Sequence, residues 1–206
     1  TLAWIMYADD NEGKLVKAWV VGLPSTIDPW VEPHGASWVY VVGSNDTELR
    51  KMAAMEKGLL FPYVKNAKLY KCPTGERGET VTYHIMISMG GTVHDDVDKS
   101  KINKNKEQIR RPSDKFVFVD EGVAPPHSPW AQHPTHRTWW DQPTNRHGNG
   151  TNFSFADGHS EYYKWRNKAT IELANGPGSG WVNRSAEDSA EDYDWLVRGL
   201  FGRLYY

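Results

Sequence analysis

The chain has a single cysteine, Cys72, so it forms no internal disulfide and no zinc site built from several thiolates. It has no apolar run of the roughly 18 residues that a membrane-crossing helix needs. Charge of one sign is not in excess: 24 Lys and Arg stand against 26 Asp and Glu, a formal net charge of −2. That balance argues against a nucleic-acid binder, which carries a clustered basic stripe, and against a polybasic membrane-surface protein. Gly-x-Ser-x-Gly, a phosphate-binding glycine loop and a dinucleotide fingerprint are all missing, as are internal repeats. Thr1 is followed at once by a mixed helical pattern, so no signal peptide is expected. What is present is aromatic: ten Trp and ten Tyr, beside a mean hydropathy of −0.67. Many amphipathic rings with few aliphatics suit contact surfaces. The 206 residues are enough for one large domain with its own core.

Patterning places several elements. Leu2, Ile5 and Met6 recur at helical spacing, and Gly13 is placed to close that helix in the left-handed conformation. Residues 14–43 are irregular and broken by Pro24, Pro29, Pro33 and Gly35, with Trp38-Val39-Tyr40-Val41-Val42 reading as a buried strand. A helix capped by Asn45, with Glu48 three residues on, runs through Leu49, Met52, Ala53 and Met55 to Gly58. Residues 81–88 and Phe116-Val117-Phe118-Val119 read as strands, the second ending in Asp120-Glu121, and the lysine-rich residues 95–111 as an exposed loop. Residues 122–143 carry five Pro and three His and predict a long surface loop. The strongest local signal is the hairpin at 151–165: strict alternation through Phe153 and Phe155, then Asp157-Gly158 as a two-residue primed turn. A glycine-rich patch follows, and residues 192–204 form a helix with Trp195, Leu196 and Leu200 on one side.

Several groups are candidates for chemistry. His147, Asp157 and His159 surround the hairpin and offer metal-ligating atoms, against the plainer reading that Asp157 serves the turn and His147 bonds across it. His133 and His136 lie in the long loop, where exposure is the simpler expectation. Asp9-Asp10-Asn11-Glu12-Gly13 has half of a calcium-loop pattern but lacks the distal glutamate, which favours a helix-ending turn. Asp120 and Glu121, with Asp141 or Asp157, raise a glycan-cleaving acid–base pair, which needs carboxylates about 5–9 Å apart across a cleft. Cys72, before Pro73, reads as a buried small hydrophobe rather than a nucleophile. Trp130, Trp139 and Trp140 fall in one polar loop and, if exposed, would stack on sugars or anchor a partner. Four Asn-x-Ser/Thr sequons, at Asn45, Asn149, Asn152 and Asn183, add no specific signal.

Taken in order, these blocks match a family pattern. His147, nine residues, then Asp157-Gly158 resembles the His-x9-Asp-Gly motif of pseudopilin-like proteins abundant in planctomycetes and verrucomicrobia. Tyr7 to Leu15 resembles the end of that family's N-terminal helix. Gly58-Leu59-Leu60-Phe61-Pro62-Tyr63 with Leu69-Tyr70-Lys71-Cys72-Pro73, Arg111-Pro112-Ser113 with the strand ending in Asp120-Glu121, and Asp194-Trp195-Leu196 follow in the family's order. The resemblance implies an α+β fold of the type II secretion and type IV pilin superfamily. A helix remnant (residues 1–13) would pack on the antiparallel sheet of a globular head with long loops (residues 14–206). It implies a structural, non-enzymatic role in a secretion-like or pilus-like filament, with other pseudopilins or secretion-system subunits as partners. The location it implies is extracytoplasmic, with inner-membrane anchoring before assembly through an apolar half-helix that this sequence lacks. His147, Asp157, Gly158, Cys72 and Pro73 then serve the fold. Calcium is the cofactor the resemblance suggests, with Asp120, Glu121, His147, Asp157 and His159 as candidate ligands. The alternatives are a polysaccharide-binding module using Trp130, Trp139 and Trp140, and a glycan-active enzyme using Asp120, Glu121 or Asp141.

Overall fold

Successive side chains of a strand point to opposite faces, and this alternation, more than any helix, organises the molecule. The computed structural model describes residues 1–18, 20–22, 37–41, 46–75, 79, 81–90, 97, 99–121, 129–176 and 181–204. The stretch from Pro24 to Gly35, Asn45, the first part of the 122–143 loop and most of the glycine-rich patch lie outside them.

In chain order the elements are α1 (Leu2–Asp10), β1 (Val20–Gly22), β2 (Val39–Val41), α2 (Glu48–Glu56), α3 (Phe61–Val64), β3 (Tyr83–Ile85), β4 (Phe116–Asp120), β5 (Thr138–Asp141), β6 (Gly150–Phe155), β7 (Ser160–Lys164), α4 (Lys168–Ala174), β8 (Trp181–Ser185) and α5 (Ala190–Phe201). The main sheet is antiparallel in the order β3-β4-β6-β7, while β1 and β2 form a parallel pair and β5 and β8 an antiparallel one. The fold is therefore α+β. No helix among the described residues is long and apolar enough to cross a membrane.

Register assigns the faces. Val119 is opposite Phe153 and Phe116 opposite Phe155, so these four share one face, with a bulge at Val117 keeping Phe116 on it. There α5 covers the sheet: the Trp195 ring lies 4.7 Å from that of Phe116 and stacks at 3.6 Å on Tyr163. Asp192, at the start of α5, is buried and accepts hydrogen bonds from the Tyr163 hydroxyl and from the backbone of Arg166 and Asn167. The opposite face carries Phe118 and Ser154; Trp38 packs on Phe118, and α1 stands across a cavity from this face. On this side α1 buries Trp4 and Ala8, one turn apart, and leaves Leu2 and Met6 exposed. It ends where Glu12 and Gly13 take φ of 57° and 78°, and the Gly13 N–H returns to the Ala8 carbonyl at 2.8 Å. At the hairpin end, α1 passes over Gly158, where a methyl group would stand in ordinary contact, 3.6 Å, with both Ile5 and Leu2 and anything larger would meet them. Between α1 and this face is a cavity of about 390 Å³. Thr1, Trp4, Tyr70 and Ser154 line it, and each has a buried polar atom with no hydrogen-bond partner among the described residues, so the cavity is suited to water.

Three expectations change. The helix cap is Thr47, whose hydroxyl accepts from the Arg50 N–H, and α2 turns Leu49 and Met52 outward rather than inward. The 151–165 hairpin forms, but Phe155 N–H bonds to the His159 carbonyl, leaving Ala156-Asp157-Gly158 as a three-residue loop with only Gly158 left-handed, at φ 100°. The second half of the expected surface loop is structured: Trp130 pairs with Met86 alongside β3, and β5 pairs with β8.

Candidate metal centre

Three segments meet at the end of β4, on the face that α1 shares. Cys72 follows a 3-10 turn at Ala67–Tyr70, and its N–H donates to the Thr82 hydroxyl at 2.8 Å while the Thr82 N–H returns to the Tyr70 carbonyl. Pro73 starts a turn in which the Gly75 N–H reaches back to the Cys72 carbonyl at 2.8 Å. Cys72 is thereby locked to the strand that carries Tyr83. Asp120 is the last residue of β4 and is 1% exposed; its carbonyl accepts from the hydroxyls of Thr144 and Thr151, each at 2.7 Å. His147 precedes β6 in His-Gly-Asn-Gly, where Gly148 and Asn149 both take positive φ, 72° and 61°. Glycine and asparagine tolerate that conformation best, and it closes the turn tightly enough for His147 N–H to meet the Gly150 carbonyl at 3.3 Å.

His147 Nε2 lies 2.7 Å from Asp120 Oδ2 and 3.6 Å from Cys72 Sγ, and the three donor atoms all lie within 4.8 Å of one another. The second Asp120 oxygen, Oδ1, is buried and makes no hydrogen bond among the described residues; Arg146 Nε stands 3.8 Å from it, and Arg146 itself is held by two 3.0 Å bonds to Glu79. Burial first, then the charges of Asp120 and Cys72, push the neighbouring Tyr83 phenol up to about 12.

This is not a nucleophile relay. A Cys–His–Asp relay uses the two ring nitrogens for two different partners, so that one orients the base and the other takes the proton. Here the thiol and the carboxylate face the same nitrogen. Three donors converging on one point is the arrangement that a cation can bridge.

The other expected ligands are elsewhere. Asp157 and His159 form their own exposed pair across the hairpin loop, with Asp157 Oδ1 2.6 Å from His159 Nδ1, and that bond holds the Asp157 carboxyl below its ordinary range. The six residues of β6 separate this pair from His147, a rise of roughly 20 Å, so the two ends of the His-x9-Asp-Gly motif cannot share one ion. Glu121 is adjacent to Asp120 and turns the other way, pairing with buried His84 and facing Asp141. Burial, then the Glu121 charge, raises the Asp141 carboxyl well above its usual range, although the Ala131 N–H at 2.6 Å opposes this. All three acids are buried and committed to internal partners, which is not the open cleft a sugar chain needs. Trp130, Trp139 and Trp140 are 1%, 1% and 3% exposed and so offer no stacking surface: Trp139 donates to Ser189 Oγ at 2.8 Å, and Trp140 packs on His133. His133 and His136 lie against each other, their Nδ1 atoms 3.2 Å apart. Asp9-Asp10-Asn11-Glu12-Gly13 is a helix end, with Asp10 accepting from the Tyr63 hydroxyl.

Cys72 is the member that sequence reasoning missed. It is 75 residues from His147 and 48 from Asp120, and no local spacing links them. A comparison with protein-family models, with curated proteins and with solved structures finds no match to any of them.

Proposed function

We propose that this chain is the globular head of a pilin-like assembly protein, a structural subunit that works outside the cytoplasm in contact with other such subunits and is not a catalyst. The observation that supports this reading is the seat of α1. The helix buries Trp4 and Ala8 and presents Met6, 51% exposed, to solvent, with Leu2, 69% exposed, at its edge beside the 156–158 loop. Large apolar side chains left outward on a helix whose inner side is already packed suit contact with a neighbouring subunit. Burial of the tryptophans and of the candidate acids removes the surfaces that the sugar-binding and sugar-cleaving readings relied on.

The test is photo-crosslinking of the full-length gene product in its own cells. A photoreactive side chain replacing Met6 should give a ladder of adducts with pilin-like subunits, and one replacing exposed Lys164 on β7 should give none. Unadducted monomer from the Met6 variant overturns the proposal.

A further inference from the structure

We infer that Cys72, Asp120 and His147 form a zinc site that ties three distant segments together at the end of β4. This goes beyond the assembly reading and does not depend on it. Tetrahedral zinc, bound at about 2.3 Å to sulfur and about 2.0 Å to nitrogen or oxygen, sets its ligands about 3.5 Å apart along a sulfur–nitrogen edge and about 3.3 Å apart along a nitrogen–oxygen edge. The Cys72–His147 separation of 3.6 Å is already such an edge. The Asp120–His147 pair, at 2.7 Å, has to open by roughly 0.6 Å as a hydrogen bond is exchanged for coordination. The separate observation that points to a ligand is Asp120 itself: it is 1% exposed, and its Oδ1 makes no hydrogen bond among the described residues, with Arg146 Nε as an ion-pair partner only at 3.8 Å. A buried carboxylate with one oxygen short of a hydrogen bond is costly, and a cation bound by that carboxylate offsets the cost.

The donor set selects the metal. Calcium takes six to eight oxygens, whereas this site offers one carboxylate, one thiolate and one imidazole, a set suited to zinc. Three protein donors leave the fourth position to water, on the side where His147 is partly exposed. Arg146, held by Glu79, stands behind Asp120 as an outer partner that fixes the carboxylate.

The experiment uses tag-free protein stripped with chelator and titrated with Co²⁺ as a spectroscopic probe, then with Zn²⁺ in competition. One equivalent of Co²⁺ should bind with a near-ultraviolet thiolate-to-metal charge-transfer band and the visible bands of a four-coordinate ion, and one equivalent of Zn²⁺ should erase both. Cys72→Ser should abolish the charge-transfer band, and His147→Gln should weaken Zn²⁺ binding by at least about 100-fold, more than losing an outer partner does. The pair Asp157→Asn and His159→Gln should leave binding unchanged. If either ligand variant fails to fold, the wild-type spectrum still decides: no binding, or Co²⁺ bound without the thiolate band, overturns the site.

Discussion

Replacing Gly199 with alanine tests how α5 is seated on the sheet. By helix propensity alone the change is favourable by about 1 kcal/mol, since Gly199 lies within α5. The packing says otherwise. A Cβ at this position would stand 1.8 Å from Phe116 Cε2, 2.2 Å from Cζ and 2.4 Å from Cδ2. Carbon atoms in contact sit at about 3.5–4.0 Å, so the ring has to retreat by roughly 1.7 Å. It has little room: Phe153, Phe155 and Trp195 hold it at centroid distances of 4.7, 5.1 and 4.7 Å. Overpacking costs typically 1–3 kcal/mol, and a clash with three ring atoms belongs at the upper end, so the net loss is about 2 kcal/mol. Urea unfolding should show a lower midpoint with an unchanged slope. In a Phe116→Leu background the same glycine change should cost less by about 1 kcal/mol or more, the coupling expected of residues in contact. A Gly199→Ala protein as stable as the parent, or a cycle that is simply additive, would refute the packing argument.

Two further outcomes follow from buried acids. Asp192→Ala strands three buried neutral donors, the Tyr163 hydroxyl and the Arg166 and Asn167 N–H groups, at about 1–3 kcal/mol each, and thermal melts should report a loss of at least about 3 kcal/mol, with Asp192→Asn losing less; a loss under about 1 kcal/mol would count against the role assigned to that carboxylate. Asp141 has its carboxyl raised in the folded state by burial and by Glu121, which also faces His84. Its contribution is therefore present at pH below the ordinary carboxylate value and is lost as pH rises through the raised one. The stability of the parent relative to Asp141→Asn should fall as pH rises above the ordinary carboxylate value, and urea midpoints of the two proteins that stay parallel as pH rises would contradict it.

Much of the fold could be read from the chain because its rules are local. Alternation at 150–155 and Asp157-Gly158 announce the hairpin, and Gly13 announces the end of α1. The turn type is less legible, since the type I′ loop that Asp-Gly suggests needs positive φ at both positions and only Gly158 adopts it. Where pairing is long-range, local reading fails. Proline and histidine make residues 129–143 look like surface loop, yet β5 finds its partner in β8, some 40 residues later, and the tryptophans go inside with it. Adjacent acids mislead in the same way: Asp120 and Glu121 read as one site, but the pleat sends them to opposite faces and to different histidines.

The His-x9-Asp-Gly spacing is best understood as the length of one strand with its two ends. Six of the nine intervening residues are β6 itself, so the spacing separates two tasks rather than joining them. At one end, the left-handed pair Gly148 and Asn149 turns His147 toward Asp120 and Cys72. At the other, Asp157 braces the loop through His159, and Gly158 leaves room for Ile5 and Leu2 of α1. A bulky residue at Gly158 should therefore disturb the seat of the helix and leave the metal centre intact, whereas His147→Gln should do the reverse. If Gly158→Val weakens cobalt binding as much as His147→Gln does, the two ends of the strand are not independent and this division of labour is wrong.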